Sequence, residues 1–171
     1  MSRAEVVDFE GLYRAHAKDV HRFALFLSGR PDVAEDLVSE TFIRLWHARS
    51  RLDLTTMRGY LFTITRNLYL QQQRQRSRGE ALPEIVTDPR PGPDAEAIAA
   101  DQLRHVLAAL QSLPELDRSA LLMRADDELS YAEIGAALGI SEVLARVKVH
   151  RARLALALRL APSTVSPKET D

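Results

Sequence analysis

Apolar residues recur along the chain at the three- and four-residue spacing of amphipathic helices. The predicted helices cover residues 5–28, 31–48, 57–76, 94–112, 115–126 and 142–160. Gly29 follows the first helix and Pro31 opens the second, which are positions that these residues favour at helix ends. Glycine and aromatic residues are scarce while Ala, Leu and Arg are abundant, so composition also favours an all-α fold.

A helix-turn-helix is predicted by SYAEIGAALGIS, residues 130–141, just before the last helix. Ser130 and Glu133 have the spacing of a capping box, in which each side chain satisfies a backbone amide of the other. Gly139 supplies a tight turn, and Ser141 caps the helix that would enter the major groove of DNA. Taken alone, the pattern also fits a plain helical hairpin.

The segment 77–93 divides the chain, because it has four prolines and no periodicity. The prediction is an α-helical domain over 1–78, a flexible linker over 79–93, a helix-turn-helix domain over 94–160 and a disordered tail over 161–171.

Charge is unevenly distributed, although the whole chain has a net charge of −1. Residues 44–79 have a net charge of +7 and residues 134–160 of +4, with an acidic stretch between them. Any one of these blocks fits a solvated surface. Two compact basic blocks together favour two contacts with a polyanion.

The third predicted helix mixes cations and aromatic rings, which suits single-stranded nucleic acid because cations follow phosphates and rings stack on unpaired bases. The residues concerned are Arg58, Tyr60, Phe62, Arg66, Asn67 and Tyr69. Tyr60 also falls in the apolar stripe of this helix, so an equally good interpretation places it in the core and leaves the arginines to solubilise the surface. Both interpretations stay open on the residues alone.

Signals for catalysis, metal binding and membrane insertion are missing from the sequence. The chain has no cysteine, its five histidines are dispersed, and it has neither a glycine-rich phosphate loop nor a nucleophile motif. The acidic run 126–128 fits a solvated helix end better than a metal site. No apolar run approaches the ~20 residues of a membrane span. We therefore expect a cytoplasmic protein without cofactor, metal or enzymatic activity.

In this order, the motifs resemble the extracytoplasmic-function (ECF) class of bacterial RNA polymerase sigma factors. Residues 9–29, 32–46 (DVAEDLVSETFIRLW) and 60–70 (YLFTITRNLYL) are similar to the family's region 2. Residues 113–140, followed by HRAR at 150–153, are similar to its region 4. The resemblance covers nearly the whole chain outside the linker and tail.

The resemblance implies three sets of binding residues. Core polymerase, through the β′ clamp helices, would contact Asp36, Ser39, Glu40, Phe42, Ile43 and Arg44, with the edges of Phe42 and Ile43 outside the core. The promoter −10 element would contact Arg49, Arg51, Arg58, Tyr60, Arg66, Asn67 and Arg74. The −35 element would contact Ser141, Glu142, Val143, Arg146, Val147, Lys148, His150, Arg151 and Arg153. Further implied partners are the polymerase β flap and an anti-sigma factor.

The chain departs from the family pattern at its recognition helix. Family members usually carry a run similar to V-G-T-V-K-S-R-L before HRAR, whereas here Val143, Leu144 and Val147 replace the small and polar residues. The loop 49–56 is also short and has no aromatic residue. Two alternatives therefore stand beside an ECF sigma factor: a sigma-like decoy that binds an anti-sigma factor, and a stand-alone helix-turn-helix regulator.

Overall fold

The computed structural model describes residues 8–48, 57–79, 94–125 and 129–162. Within these residues every regular element is a helix, as the sequence predicted. The helices are α1 (Phe9–Ser28), α2 (Pro31–Ala48), α3 (Met57–Ser77), α4 (Asp94–Gln111), α5 (Glu115–Arg124), α6 (Tyr131–Leu138) and α7 (Glu142–Leu160). The predicted start of α1 at residue 5, most of the predicted linker and tail, and the acidic run 126–128 lie outside the described residues.

Local sequence signals fix several helix ends. Asp8 caps α1 by accepting a hydrogen bond from the amide of Gly11, and Gly29 ends that helix with a left-handed φ of 71°. The capping box at α6 is confirmed, because the Ser130 hydroxyl and the Glu133 carboxylate each accept a hydrogen bond from the other's backbone amide. These caps fix both ends of α1 and the start of α6.

Helices α1, α2 and α3 form the N-terminal half around a common apolar core. The rings of Phe23 and Phe62 stack with their centroids 4.5 Å apart. A single polar pair crosses the packed face of α2 and α3 among the described residues, since the hydroxyls of Thr41 and Thr65 lie 3.0 Å apart and are fully buried. This pair leaves neither hydroxyl unsatisfied in the core.

The helix-turn-helix of α6 and α7 packs on α5 to form most of the C-terminal half. Ile134, Ala145 and Val149 are fully buried where these helices meet. Gly135 permits the sharp angle between α6 and α7, because a Cβ atom there would lie 2.8 Å from the carbonyl oxygen of Ile140. The turn therefore depends on the small residue at position 135 as well as on the left-handed Gly139.

The two halves pack directly against each other. One continuous cluster of buried residues runs from Leu61 and Leu68 of α3 to Met123, Ile134 and Ala145 of the C-terminal half. The Gln111 amide at the end of α4 donates to the carbonyl oxygens of Phe26 and Leu27 at 3.2 Å, which satisfies the open end of α1. The sequence predicted the helices on each side of this contact but not the contact itself.

Candidate nucleic-acid and protein interfaces

A polar groove lies between the outer faces of α2 and α3. Four of the six residues predicted to bind core polymerase line it: Asp36, Ser39, Glu40 and Arg44. The glutamines Gln71, Gln72 and Gln75 of α3 form the opposite wall. Nε of Arg44 lies 3.4 Å from a carboxylate oxygen of Glu40, so the two side chains hold each other at the rim. The groove therefore presents closely spaced donors and acceptors.

The other two predicted polymerase residues have different environments. Ile43 is 51% exposed, beside Trp46 at 43%. The expectation that an edge of Phe42 lies outside is wrong, because Phe42 is only 3% exposed and contacts the rings of Phe9 and Tyr13 edge-on. Phe42 faces the core because it lies at helical spacing from the buried residues Val38 and Leu45. Phe42 therefore supports this surface from beneath.

One outer face of α3 carries polar and aromatic side chains in a line. Tyr60, Asn67 and Arg74 follow one another at seven-residue spacing, so they lie on the same side of the helix, and all three are exposed. Tyr60, for which the sequence left a core position and a surface position equally open, therefore lies at the surface. Phe62 and Tyr69 are 1% and 5% exposed and form part of the core instead. Of the three aromatic candidates on this helix, Tyr60 alone can stack on a base.

Two other arginines of α3, Arg58 and Arg66, point to other helices and form ion pairs. Nη2 of Arg58 lies 3.0 Å from a carboxylate oxygen of Asp19 on α1. Arg66 donates two hydrogen bonds to the carboxylate of Glu115 on α5, at 2.7 and 2.8 Å, and its side chain is 12% exposed. The Arg66 guanidinium is therefore largely shielded from a nucleic acid, whereas the Arg58 side chain is 38% exposed and keeps part of its surface accessible. Arg49 and Arg51 lie outside the described residues.

Glu115 takes part in the contact between the halves through its pair with Arg66. Its burial alone would raise the pKa of this carboxyl, but hydrogen bonds from Arg66 and Ser119 and the charges of Arg66 and Arg118 outweigh the burial and hold the pKa below its ordinary value. Beside it, Arg118 donates to the hydroxyl of Tyr69 at 3.2 Å and to the carbonyl of Leu113 at 3.0 Å. The carboxylate thus stays ionised and joined to α3.

The outer surface of α7 carries most of the residues predicted to read duplex DNA. Glu142, Val143, Arg146, Val147, His150, Arg151 and Arg153 are all exposed. The Arg146 guanidinium lies over the ring of Tyr131, 4.6 Å from its centroid, and the Arg124 guanidinium lies over the same ring at 4.5 Å. The ring of Tyr131 therefore contacts one arginine of the recognition helix α7 and one arginine of α5.

Two of the predicted duplex contacts have structural roles in the fold. Nζ of Lys148 lies 3.0 Å from a carboxylate oxygen of Asp117, and the two side chains are only 18% and 3% exposed. Lys148 therefore neutralises a buried carboxylate. The hydroxyl of Ser141 accepts a hydrogen bond from the amide of Leu144 and so caps α7.

Sequence reasoning missed several residues that organise these surfaces. They are Tyr131, Asp117, Glu115 and the glutamines of α3. No signal in the sequence marked Asp117 as buried, because carboxylates are usually exposed, and the structure shows it to be 2% exposed. No signal existed for Glu115 either, because its partner Arg66 is 49 residues away in the chain.

Other kinds of site find no support in the described part of the chain. Across residues 8–48, 57–79, 94–125 and 129–162, no group of three or more potential metal ligands comes together. Within the same ranges, no helix has the length and apolarity needed to cross a membrane.

Comparison with known proteins identifies both halves. The family model "Sigma-70 region 2" matches residues 12–79, and "Sigma-70, region 4" matches residues 103–156. The ECF sigma factor SigE of Mycolicibacterium smegmatis is 40% identical over 88% of this chain, which spans 61% of that relative's length. The ECF sigma factor SigL of Mycobacterium tuberculosis is 32% identical over 92% of this chain and 91% of its own.

A solved structure has the same arrangement of helices. The sigma factor RpoE of Bartonella quintana, in complex with the anti-sigma factor NepR, is similar to this chain with a TM-score of 0.73 and 27% identity, over 91% of this chain and 98% of that one. Sigma factors are non-enzymatic transcription initiation factors, in agreement with the prediction that the chain is not an enzyme. The chain belongs to the ECF class of RNA polymerase sigma factors.

Proposed function

We propose that this chain acts in the cytoplasm as an alternative sigma factor, which joins core RNA polymerase, recognises the −10 and −35 elements of a promoter and promotes its opening. One observation supports the proposal above all others. Exposed polar and basic surfaces lie on α3 and on α7 of a single chain, and that chain matches both sigma regions. No catalytic residue is required of the chain, because the polymerase makes the RNA.

Each surface has a role in this proposal. The α2–α3 groove, with Asp36, Glu40 and Arg44 at its rim, would receive the β′ clamp helices of the polymerase. Its many donors and acceptors in a small area suit a polar protein partner. The C-terminal half would contact the β flap. The predicted linker between the halves would set the distance between the two promoter elements.

The outer face of α3 would hold the opened −10 strand. Tyr60 offers a ring for stacking, Asn67 can bond a base edge, and Arg74 can follow the phosphates. Arg66 would join them only after it leaves Glu115, since one guanidinium cannot bond that carboxylate and a phosphate in the same bidentate manner.

The −35 duplex would be read by the first turns of α7. Val143 and Val147, which are exposed, would contact thymine methyl groups, and Arg146, Arg151 and Arg153 would contact phosphates or guanines. Lys148 would not contact the duplex, because its ammonium group forms an ion pair with the buried carboxylate of Asp117.

We also propose regulation by an anti-sigma factor. The support is the likeness to RpoE of Bartonella quintana, which was solved with its anti-sigma factor NepR and resembles this chain along nearly its whole length.

Reconstituted transcription tests the proposal. The chain is added to core polymerase on templates that carry the region upstream of its own gene, with Arg74→Ala and Tyr60→Ala as variants of the outer α3 face. We expect promoter-dependent transcripts that both variants reduce. The valine-rich face of α7 favours a decoy as the second candidate, and a decoy would give no transcript and would not bind core polymerase.

A further inference from the structure

An apolar cavity of about 270 Å³ lies where the two halves of the chain meet. Its lining comes from α1 and α3 of the N-terminal half and from α4, α5 and α7 of the C-terminal half. The stacked rings of Phe23 and Phe62 form part of one wall, and Leu122 and Leu156 belong to the side of the C-terminal half. Because both halves contribute, the cavity exists only while they are packed together.

The size and the lining of this cavity suit a small organic molecule better than water. Protein interiors normally contain few voids larger than one water molecule, and this cavity is several times that size. Nine of the eleven residues that line it are apolar, so water inside would find few hydrogen-bonding partners. A concave space between two domains, apolar with a few polar groups, is the usual form of a ligand site.

The two polar residues of the lining, Asp19 and Arg22, determine the end group of the ligand. Carboxylate oxygens of Asp19 lie 3.0 Å from Nη2 of Arg58 and 3.6 Å from Nη2 of Arg22. One carboxylate between two guanidiniums leaves this end of the cavity with a positive charge. A guanidinium has several N–H donors, so Arg22 can bond Asp19 and a second carboxylate together. A ligand with a carboxylate is therefore favoured over one with an amine.

Arg22 also marks the side on which the cavity meets solvent. Its side chain is 46% exposed, whereas Phe23 and Phe62 are 3% and 1% exposed. The charged end of a ligand would thus stay near water while its apolar chain extends toward the rings, which avoids the cost of burying a charge. The cavity is slightly smaller than most small-molecule sites, which limits the ligand to about ten non-hydrogen atoms.

We propose that this cavity binds a small amphipathic carboxylate with an unbranched chain of about eight carbons. The carboxylate lies at Arg22 and the chain lies between the halves. Such a ligand contacts both halves at once, so it binds their packed arrangement and stabilises it. This inference goes beyond the proposed function, because no step of promoter recognition uses the cavity.

Calorimetric titration of the full chain with octanoate tests the site. Octanol and octylamine have the same chain and serve as probes of the end group, all below the concentrations at which they form micelles. We expect a single saturable site for octanoate and an affinity for octylamine that is about tenfold or more weaker, because its ammonium group meets the positive end of the cavity. Saturating octanoate should raise the melting temperature by about 2 °C or more.

Replacement of Arg22 tests the contact with the carboxylate. Arg22→Gln should weaken octanoate by about fivefold or more and leave octanol unchanged, because only octanoate has a charge to pair. Arg14→Gln is the matched control, since Arg14 is an exposed arginine of the same helix that pairs with Glu10 and lies outside the lining. It should leave the affinity for both molecules unchanged.

Filling the cavity tests the position of the chain. Val106 lies in the lining on α4, so Val106→Phe should place a ring in the cavity and weaken octanoate and octanol alike by about tenfold or more. Ile98→Phe is the matched control, because Ile98 lies on the same helix but is 60% exposed and outside the lining. Circular dichroism should show the same helix content for both variants.

Three results would overturn the proposal: no saturable binding of octanoate, equal affinity for octanoate and octylamine, or unchanged octanoate affinity in Val106→Phe. If Val106→Phe does not fold, Arg22→Gln decides, and an octanoate affinity equal to that of the wild type then overturns the proposal. Reconstituted transcription is measured without octanoate, so failure of this proposal and failure of the sigma function are distinguishable.

Discussion

Replacing Glu115 with glutamine removes the carboxylate that joins the two halves while keeping the shape of the side chain. A hydrogen-bonded contact to a charged group contributes about 1.5–3 kcal/mol to stability. The side chains of Arg66 and Glu115 are 12% and 25% exposed, so solvent screens part of this contribution. We expect Glu115→Gln to lower the free energy of unfolding by about 1–2 kcal/mol near neutral pH, measured by urea denaturation.

The pH dependence of this loss identifies its cause. Folding lowers the pKa of Glu115 below its ordinary value of 4.5, so the ionised carboxylate stabilises the fold above that pH. The contribution is lost as the pH falls through the lower pKa of the folded state. The difference between wild type and Glu115→Gln should be complete at about pH 7 and shrink steadily below about pH 4.5. A difference that stays constant over this range would refute the assignment to an ion pair.

The same substitution should have the opposite effect on DNA binding. Freed from Glu115, Arg66 becomes available to the −10 strand, so affinity for a single-stranded oligonucleotide should rise by about threefold or more. Arg66→Gln is the matched control, because it breaks the same pair and lowers stability but removes the cation. If both variants changed oligonucleotide affinity equally, Arg66 would have no part in holding the strand.

Four substitutions in the C-terminal half give further tests. Gly135→Val should lower the free energy of unfolding by about 2 kcal/mol or more, because its Cβ would clash with the turn, whereas Gly139→Ala should cost about 1 kcal/mol for its left-handed backbone. Urea denaturation of both variants checks this order, and the reverse order would contradict it. Lys148→Met should destabilise the fold by leaving Asp117 buried without a cation, yet leave the salt dependence of duplex binding unchanged. Arg146→Met should reduce that salt slope by about 0.9 log units per log unit of salt, and a reduction with Lys148→Met instead would reverse the two roles.

Apolar periodicity predicted the helices well because it reports which face of each helix avoids water. The six helices for which bounds were predicted lie within a few residues of those bounds, apart from the start of α1, and α6 lies within the predicted helix-turn-helix segment 130–141. Periodicity is less informative at the edge of an apolar stripe, because an aromatic ring there can turn toward the core or toward solvent. Tyr60 and Trp46 lie at such edges and are exposed, whereas Phe42 was expected at an edge and is buried.

Contacts between distant segments could not be predicted from the pattern. The pairing of Arg66 with Glu115 depends on how two separately amphipathic groups of helices meet. Charge in sequence also does not show whether a cation is exposed, since Lys148 lies among basic residues of α7 but reaches inward to Asp117. The basic blocks therefore predicted the surfaces on α3 and α7 without showing which of their cations are open to a ligand.

Reconstituted transcription with core RNA polymerase is the most direct test of the central claim. The chain is added to core enzyme on a template carrying the region upstream of its own gene, with an unrelated template as the control. We expect a transcript that depends on the chain and the template and that falls when Tyr60 and Arg74 of the outer α3 face are replaced by alanine. Absence of any chain-dependent transcript, together with failure to bind core polymerase, would contradict it.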